Sequence, residues 1–207
     1  QCSDRRADAW LFENIISKEK ELNMNKSRMT TAIALMLLAT PAFAHTGHME
    51  HGFSSGVLHP LTGLDHLMML LSSGFLAALT GRRLSLPLLT LLAMMVGTGA
   101  GVFLGANNLV EPLVLASLWF AGALMFAPNR LSVLSWMMPC FALFHGWAHG
   151  VEAPVGQVAL FTVGAVVSSL VLLAVGYAVG SKANHIAWLK KGWAAVVFAS
   201  ASVLLVG

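Results

Sequence analysis

From His45 onward the chain is a succession of six apolar stretches, residues 57–80, 84–105, 112–127, 131–149, 155–180 and 186–207, separated by short connectors. A bilayer core holds no water to satisfy backbone N–H and C=O groups, so apolar runs of this kind cross it as α-helices. With a rise of about 1.5 Å per residue, each stretch can traverse a hydrocarbon layer of about 30 Å, the third and fourth being short. The predicted fold class is all-α: a polytopic membrane protein with a six-transmembrane-helix bundle over residues 57–207. Composition agrees, because the chain is 57% hydrophobic and 10% charged, whereas a soluble domain carries about 25% charged residues.

The connectors set the orientation. The first, third and fifth carry Arg82 and Arg83, then Arg130, then Lys182, Lys190 and Lys191, while the second and fourth carry no Lys or Arg. That asymmetry is the positive-inside pattern, with the basic connectors in the cytoplasm. The formal net charge of +3 is therefore read as topology rather than as a nucleic-acid surface, and no nucleic acid is expected as a partner. The predicted location is the bacterial inner membrane, multi-pass, with the mature N-terminus and the C-terminus in the periplasm.

An outside N-terminus also follows from residues 24–44, "MNKSRMTTAIALMLLATPAFA". A basic start (Lys26, Arg28), an apolar core over 31–39 and the small-residue end Ala42-Phe43-Ala44 have the form of a secretory signal peptide, cleaved before His45. The alternative, a first membrane span, needs roughly 20 apolar residues. Residues 1–23 precede a suitable initiator at Met24 and are expected to be a non-native upstream leader. Cys2 lies in that leader and Cys140 in an apolar run, where it is expected to be a small core residue.

Against this apolar background the histidines and carboxylates stand out. "HPLTGLDH" places His59, Asp65 and His66 at the start of the first span, and "HGWAHGVE" places His145, His149 and Glu152 at the end of the fourth. His145 and His149 are spaced i, i+4 and Glu152 is i+7, which gives one helix face. His59 and His66 share a face if Pro60 opens the helix at its first turn, with His66 then about 10 Å deeper than His59. Asp65 projects to the side and is expected to orient a histidine. Glu111 opens the third span, so with Glu50 all four acidic residues after the signal peptide fall on the outer side.

One such histidine can be a hydrogen-bonding packing residue. Four histidines and three carboxylates in one half of a membrane domain point instead to an ion path, because ionisable groups there carry a penalty of kilocalories each. The candidate metal residues are therefore His59, Asp65, His66, His145, His149, Glu152 and Glu111, with His45, His48 and His51 in the periplasmic segment 45–56 as a collector. Imidazole and carboxylate suit Ni(II), Co(II) or Zn(II). Copper(I) would use thioethers, but Met68, Met69, Met94, Met95, Met125, Met137 and Met138 read better as apolar packing. Glycines at Gly97, Gly101 and Gly105, at Gly146 and Gly150, and at Gly176 and Gly180 would let spans approach closely.

"HPLTGLDHLMML", Glu111-Pro112 and "FHGWAHGVEAP" resemble, in order, the signature segments of the HupE/UreJ family of hydrogenase and urease accessory membrane proteins. The resemblance implies a permease, not an enzyme, that carries nickel or sometimes cobalt to enzymes such as hydrogenase or urease. Ni(II) would be cargo, no organic cofactor is implied, and the bilayer and a second copy of the chain are the remaining partners. No Walker-type G-x-x-x-x-G-K-[ST] sequence is present, so the chain offers no ATP site of that kind. Two alternatives stay open: a membrane-embedded zinc-dependent hydrolase built on the same histidines, and a periplasmic-side metal sensor or chaperone partner resting on the histidine-rich N-terminus.

Overall fold

The computed structural model describes residue 20 and residues 52–127 and 131–206. Two units separate, Gln1–Ala42 and Phe43–Gly207, and the second contains every element treated below. The signal peptide, the leader and the collector histidines His45, His48 and His51 lie outside the described residues, as does Arg130.

Among the described residues the structure is all helix: α1 (Gly52–Thr62), α2 (Leu64–Leu79), α3 (Ser85–Leu104), α4 (Val110–Leu124), α5 (Leu131–Leu134), α6 (Met137–Glu152), α7 (Val158–Ala183) and α8 (Ala187–Val206). Four segments are long and apolar enough to cross a membrane: Ser85–Leu104, Leu131–Glu152, Val158–Ala183 and Trp188–Val206. The pair α1 and α2 makes a fifth if a 75° bend is accepted within one span, and α4 is a shorter apolar helix. Large apolar side chains such as Leu92, Val96 and Phe103 on α3 and Leu170, Val171 and Val175 on α7 are exposed, as expected where the solvent is lipid.

The bend corrects the sequence reading of "HPLTGLDH". Pro60 does not open a helix; it lies in the last turn of α1, Gly63 breaks the chain, and Leu64 starts α2. His59 and His66 therefore stand on two different helices rather than on one continuous face, and the expected 10 Å step in depth is replaced by a ring separation of 5.1 Å. Cys140 is also not a core residue, being exposed on α6. The adjacent methionines split as helix geometry requires, with Met94 and Met138 buried and Met95 and Met137 exposed, while Met68 and Met69 are both buried.

Backbone approach through glycine holds the bundle together. A Cβ on Gly97 would overlap the Leu143 carbonyl, one on Gly101 the Trp147 carbonyl, one on Gly146 the Met94 carbonyl and one on Gly150 the Thr98 carbonyl. So α3 and α6 lie backbone to backbone along two turns of each helix, the close packing that small-x-x-x-small patterns permit. In the same way Gly74 and Gly176 join α2 to α7, and Gly56 and Gly164 join α1 to α7. Gly105 instead faces open space and ends α3 with φ +73°, a left-handed conformation suited to glycine; its carbonyl accepts from Trp147 Nε1 at 2.8 Å.

The remaining contacts are aromatic and polar. Phe75 of α2 stacks on Trp193 of α8 at 5.3 Å, and Trp119 of α4 meets Phe198 of α8 at 5.3 Å. At the opposite end from the histidines, Arg82 lies 4.3 Å over the Trp136 ring and donates to Ser135 Oγ at 2.8 Å and to the Ser132 carbonyl. That latch ties the α2–α3 turn to the α5–α6 junction.

This packing yields a paired expectation. Gly97→Val drives a side chain into the α6 backbone and is expected to destabilise the protein by about 3 kcal/mol, the upper end for overpacking. Gly99→Ala, whose Cβ would meet nothing within 4 Å, is expected to stabilise by about 0.5 kcal/mol through helix propensity. Thermal unfolding in detergent measures both; equal effects would mean that α3 and α6 are not in backbone contact.

Candidate metal centre

The break at Gly63 aims α1 and α2 so that their histidines meet those of α6. His59 lies in the last turn of α1, His66 sits in the first turn of α2, and His145 and His149 occupy successive turns of α6. The His66 ring lies 4.4 Å from that of His149, 4.9 Å from His145 and 5.1 Å from His59, and His59 lies 4.6 Å from His149. Four imidazoles thus form one cluster, with His66, His145 and His149 all under 4% exposed.

Two sets of side chains can share an ion. The ligand atoms of His59, His66 and His149 lie within 4.8 Å of one another, and so do those of Asp65, His66 and His145. His66 is the member common to both. Three ring nitrogens in the cluster, His59 Nε2, His145 Nδ1 and His149 Nε2, are buried without a hydrogen bond among the described residues. A buried polar atom left so loses about 1–3 kcal/mol relative to its hydrated state, and a cation held by either ligand set would recover part of it.

Neighbouring groups orient the rings. Asp65 Oδ1 lies 3.0 Å from His66 Nδ1, while His66 Nε2 faces the His145 carbonyl at 3.2 Å. A neutral imidazole donates from only one nitrogen, so Asp65 and that carbonyl compete for the His66 proton. A Cβ on Gly63 would stand 3.0 Å from Asp65 Oδ1 and 3.3 Å from His66 Nδ1, so a larger residue there would press on both side chains. Glu152, at the end of α6, puts Oε2 3.1 Å from His59 Nε2, close enough for an ion pair but not aligned as a hydrogen bond.

Ser117 of α4 was not legible as a site residue. It is fully buried, donates its hydroxyl hydrogen to the Val114 carbonyl at 2.6 Å and stands 2.8 Å from His145 Nε2. With that hydrogen committed, Oγ accepts from Nε2–H, which leaves the His145 Nδ1 lone pair free for a metal. No motif marks the serine, and only its place two turns beyond Glu111 on an apolar helix could have drawn attention. Ser117→Ala is expected to lower metal affinity about tenfold, as loss of a ligand-orienting partner does; isothermal titration with Ni(II) measures it, and unchanged affinity would detach Ser117 from the site.

Glu111 does not join either ligand set. It lines, with Asp65, His66, Glu152, Val114 and Leu115 among others, a cavity of about 520 Å³ beside the cluster. This vestibule carries three carboxylates and, besides His66, no basic side chain, so it concentrates cations at the histidines.

Comparison with known proteins identifies a family. The family described as HupE / UreJ protein matches residues 33–205. Protein HupE of Rhizobium leguminosarum bv. viciae is 30% identical over 135 residues, which covers 63% of this chain and 71% of that relative. No solved structure matches.

Proposed function

This chain belongs to the HupE/UreJ family, and from that premise we propose that it is a membrane permease for a divalent transition metal, nickel before cobalt, supplying a metalloenzyme such as hydrogenase or urease. The convergence of His59, His66 and His149 on one point, inside a bundle of apolar helices, is the observation that supports the reading. Neutral imidazoles with nearby carboxylates match a borderline dication, and the acidic vestibule supplies the attraction that brings one in.

In this reading the groups act in sequence. Glu111 and Glu152 gather the hydrated ion at the cavity, His59 and His149 take it as it sheds water, and His66 and His145 hold it on the inner side. Asp65 keeps His66 turned toward the ion. The chain then crosses the inner membrane six times, with the bent α1–α2 pair as one crossing and α4 as a short one, and with both ends of the mature chain in the periplasm after signal-peptide cleavage. His45, His48 and His51 collect metal ahead of the first span; their triple alanine variant is expected to weaken uptake at scarce metal and to spare it at abundant metal.

A zinc hydrolase would need a carboxylate free to act as general base. Glu152 lies against His59, while Glu111 on the same cavity joins neither ligand set, so a turnover measurement separates the two readings. The test is uptake of Ni(II) or Co(II) by sealed proteoliposomes with an entrapped metal indicator. Accumulation above protein-free vesicles is expected; no accumulation together with turnover of a lipid ester or a peptide would transfer the site to the hydrolase class.

A further inference from the structure

The vestibule beside the histidines is larger than its ion. A dication with six waters, each taking about 30 Å³, occupies roughly 180 Å³, whereas the cavity measures about 520 Å³. Passage of a hydrated ion alone needs no such surplus.

The walls are also unlike those of an ion path. Val110, Val114 and Leu115 of α4 and Leu204 and Leu205 of α8 line much of the space, and the polar side chains on it are Asp65, His66, Glu111 and Glu152. A hydrated ion gains nothing from apolar walls, but an organic body does, at about 25 cal/mol for each Å² of apolar surface removed from water. A mostly apolar space of this size with a few polar groups has the form of a small-molecule site.

The metal centre leaves room for such a molecule. Each ligand set supplies three donor atoms, fewer than the four in-plane donors of a tetragonal Ni(II) site. Asp65 and His66 belong both to one set and to the vestibule wall, so the vestibule borders the coordination positions that the chain does not fill. Charge then selects among outside donors. The carboxylates of Asp65, Glu111 and Glu152 favour a complex that stays positive when its chelator binds and repel one that the chelator makes negative.

Resting on the permease reading, we propose that the vestibule takes the metal as a positively charged complex with one small organic chelator, the metal meeting Asp65 and His66 and the organic body lying on the apolar wall of α4 and α8. The substrate of the site is then the chelate, and the histidine cluster strips the metal from it.

The test is equilibrium dialysis of the full chain in detergent against Ni(II) and a radiolabelled chelator. Histidine, whose one-to-one nickel complex is singly positive, is the first probe, and citrate, whose complex is singly negative, is the second. Labelled histidine is expected to be retained in equal amount to nickel, and labelled citrate to be excluded. Leu204 belongs to neither ligand set, and Leu204→Trp narrows the space; this variant is expected to keep nickel and lose histidine. A misfolded variant would lose nickel as well, and Leu205→Trp then takes its place. Nickel bound without histidine by the wild-type protein would overturn the proposal and leave the vestibule to water and the hydrated ion. Histidine retained undiminished in both tryptophan variants, or citrate retained as well as histidine, would also overturn it. A wild-type protein that binds no nickel would overturn the metal centre and the proposal together. Failure of uptake in proteoliposomes ends the permease reading alone, because dialysis requires no transport.

Discussion

His66→Ala is expected to abolish metal uptake, lowering the initial rate about 100-fold or more, at least the loss seen when a metal site loses an orienting partner. His66 is the one side chain common to both ligand sets, and its ring lies within 5.1 Å of those of His59, His145 and His149. Removing it separates the outer pair from His145 and leaves Asp65 with no histidine to orient. The effect is measured as initial Ni(II) uptake in vesicles matched for protein, with a melting curve to show that the bundle still forms. The His66→Ala, His145→Ala double variant should be no worse than the single, because both residues serve one ion and their effects are not additive. Uptake by that double variant within about threefold of wild type would remove the pair from the path.

The second large effect is expected at Asp65, where two substitutions separate charge from geometry. Asp65→Ala removes the oxygen 3.0 Å from His66 Nδ1 and should lower uptake about 10–100-fold. Asp65→Asn keeps an amide oxygen that can accept from the same nitrogen but removes the negative charge. If Asp65 acts by orienting His66, the asparagine variant retains a large part of the activity; if it binds the ion, asparagine and alanine fail alike. Initial rates over a range of Ni(II) concentrations distinguish the two, since a lost orienting group acts through His66 and a lost ligand acts on the ion itself.

Much of this architecture was legible in the sequence because lipid narrows the choices. Long apolar runs can satisfy their backbone only as helices, and the helices α3, α7 and α8 fall where hydropathy puts them. The glycine spacing also carried real information: Gly97 and Gly101 of α3 face Gly146 and Gly150 of α6, although spacing alone could not say which helices pair. Gly105, placed in the same ladder, serves a different purpose as the end of α3.

The break inside "HPLTGLDH" was not read correctly, and the reason is physical. Proline is accepted in a helix's first turn, and the following hydrophobic run suggested that Pro60 began the helix. Burial of Gly56 against the Phe161 carbonyl of α7 instead holds α1 as a helix before the proline, and the chain turns at Gly63. That turn brings the His59 ring within 5.1 Å of the His66 ring and joins two rungs expected to be separate into one cluster. Ser117 was invisible for another reason: its role comes from α4 lying against α6, a tertiary contact that no local pattern in "EPLVLAS" encodes.

X-ray absorption at the nickel edge of the purified, Ni(II)-loaded protein tests the histidine centre most directly. The expected spectrum is a first shell of nitrogen and oxygen donors with the outer-shell scattering of two or three imidazoles, and that outer-shell pattern falls away in His66→Ala. A first shell dominated by sulfur, or oxygen donors without imidazole scattering, would contradict it and move the ion away from His59, His66 and His149.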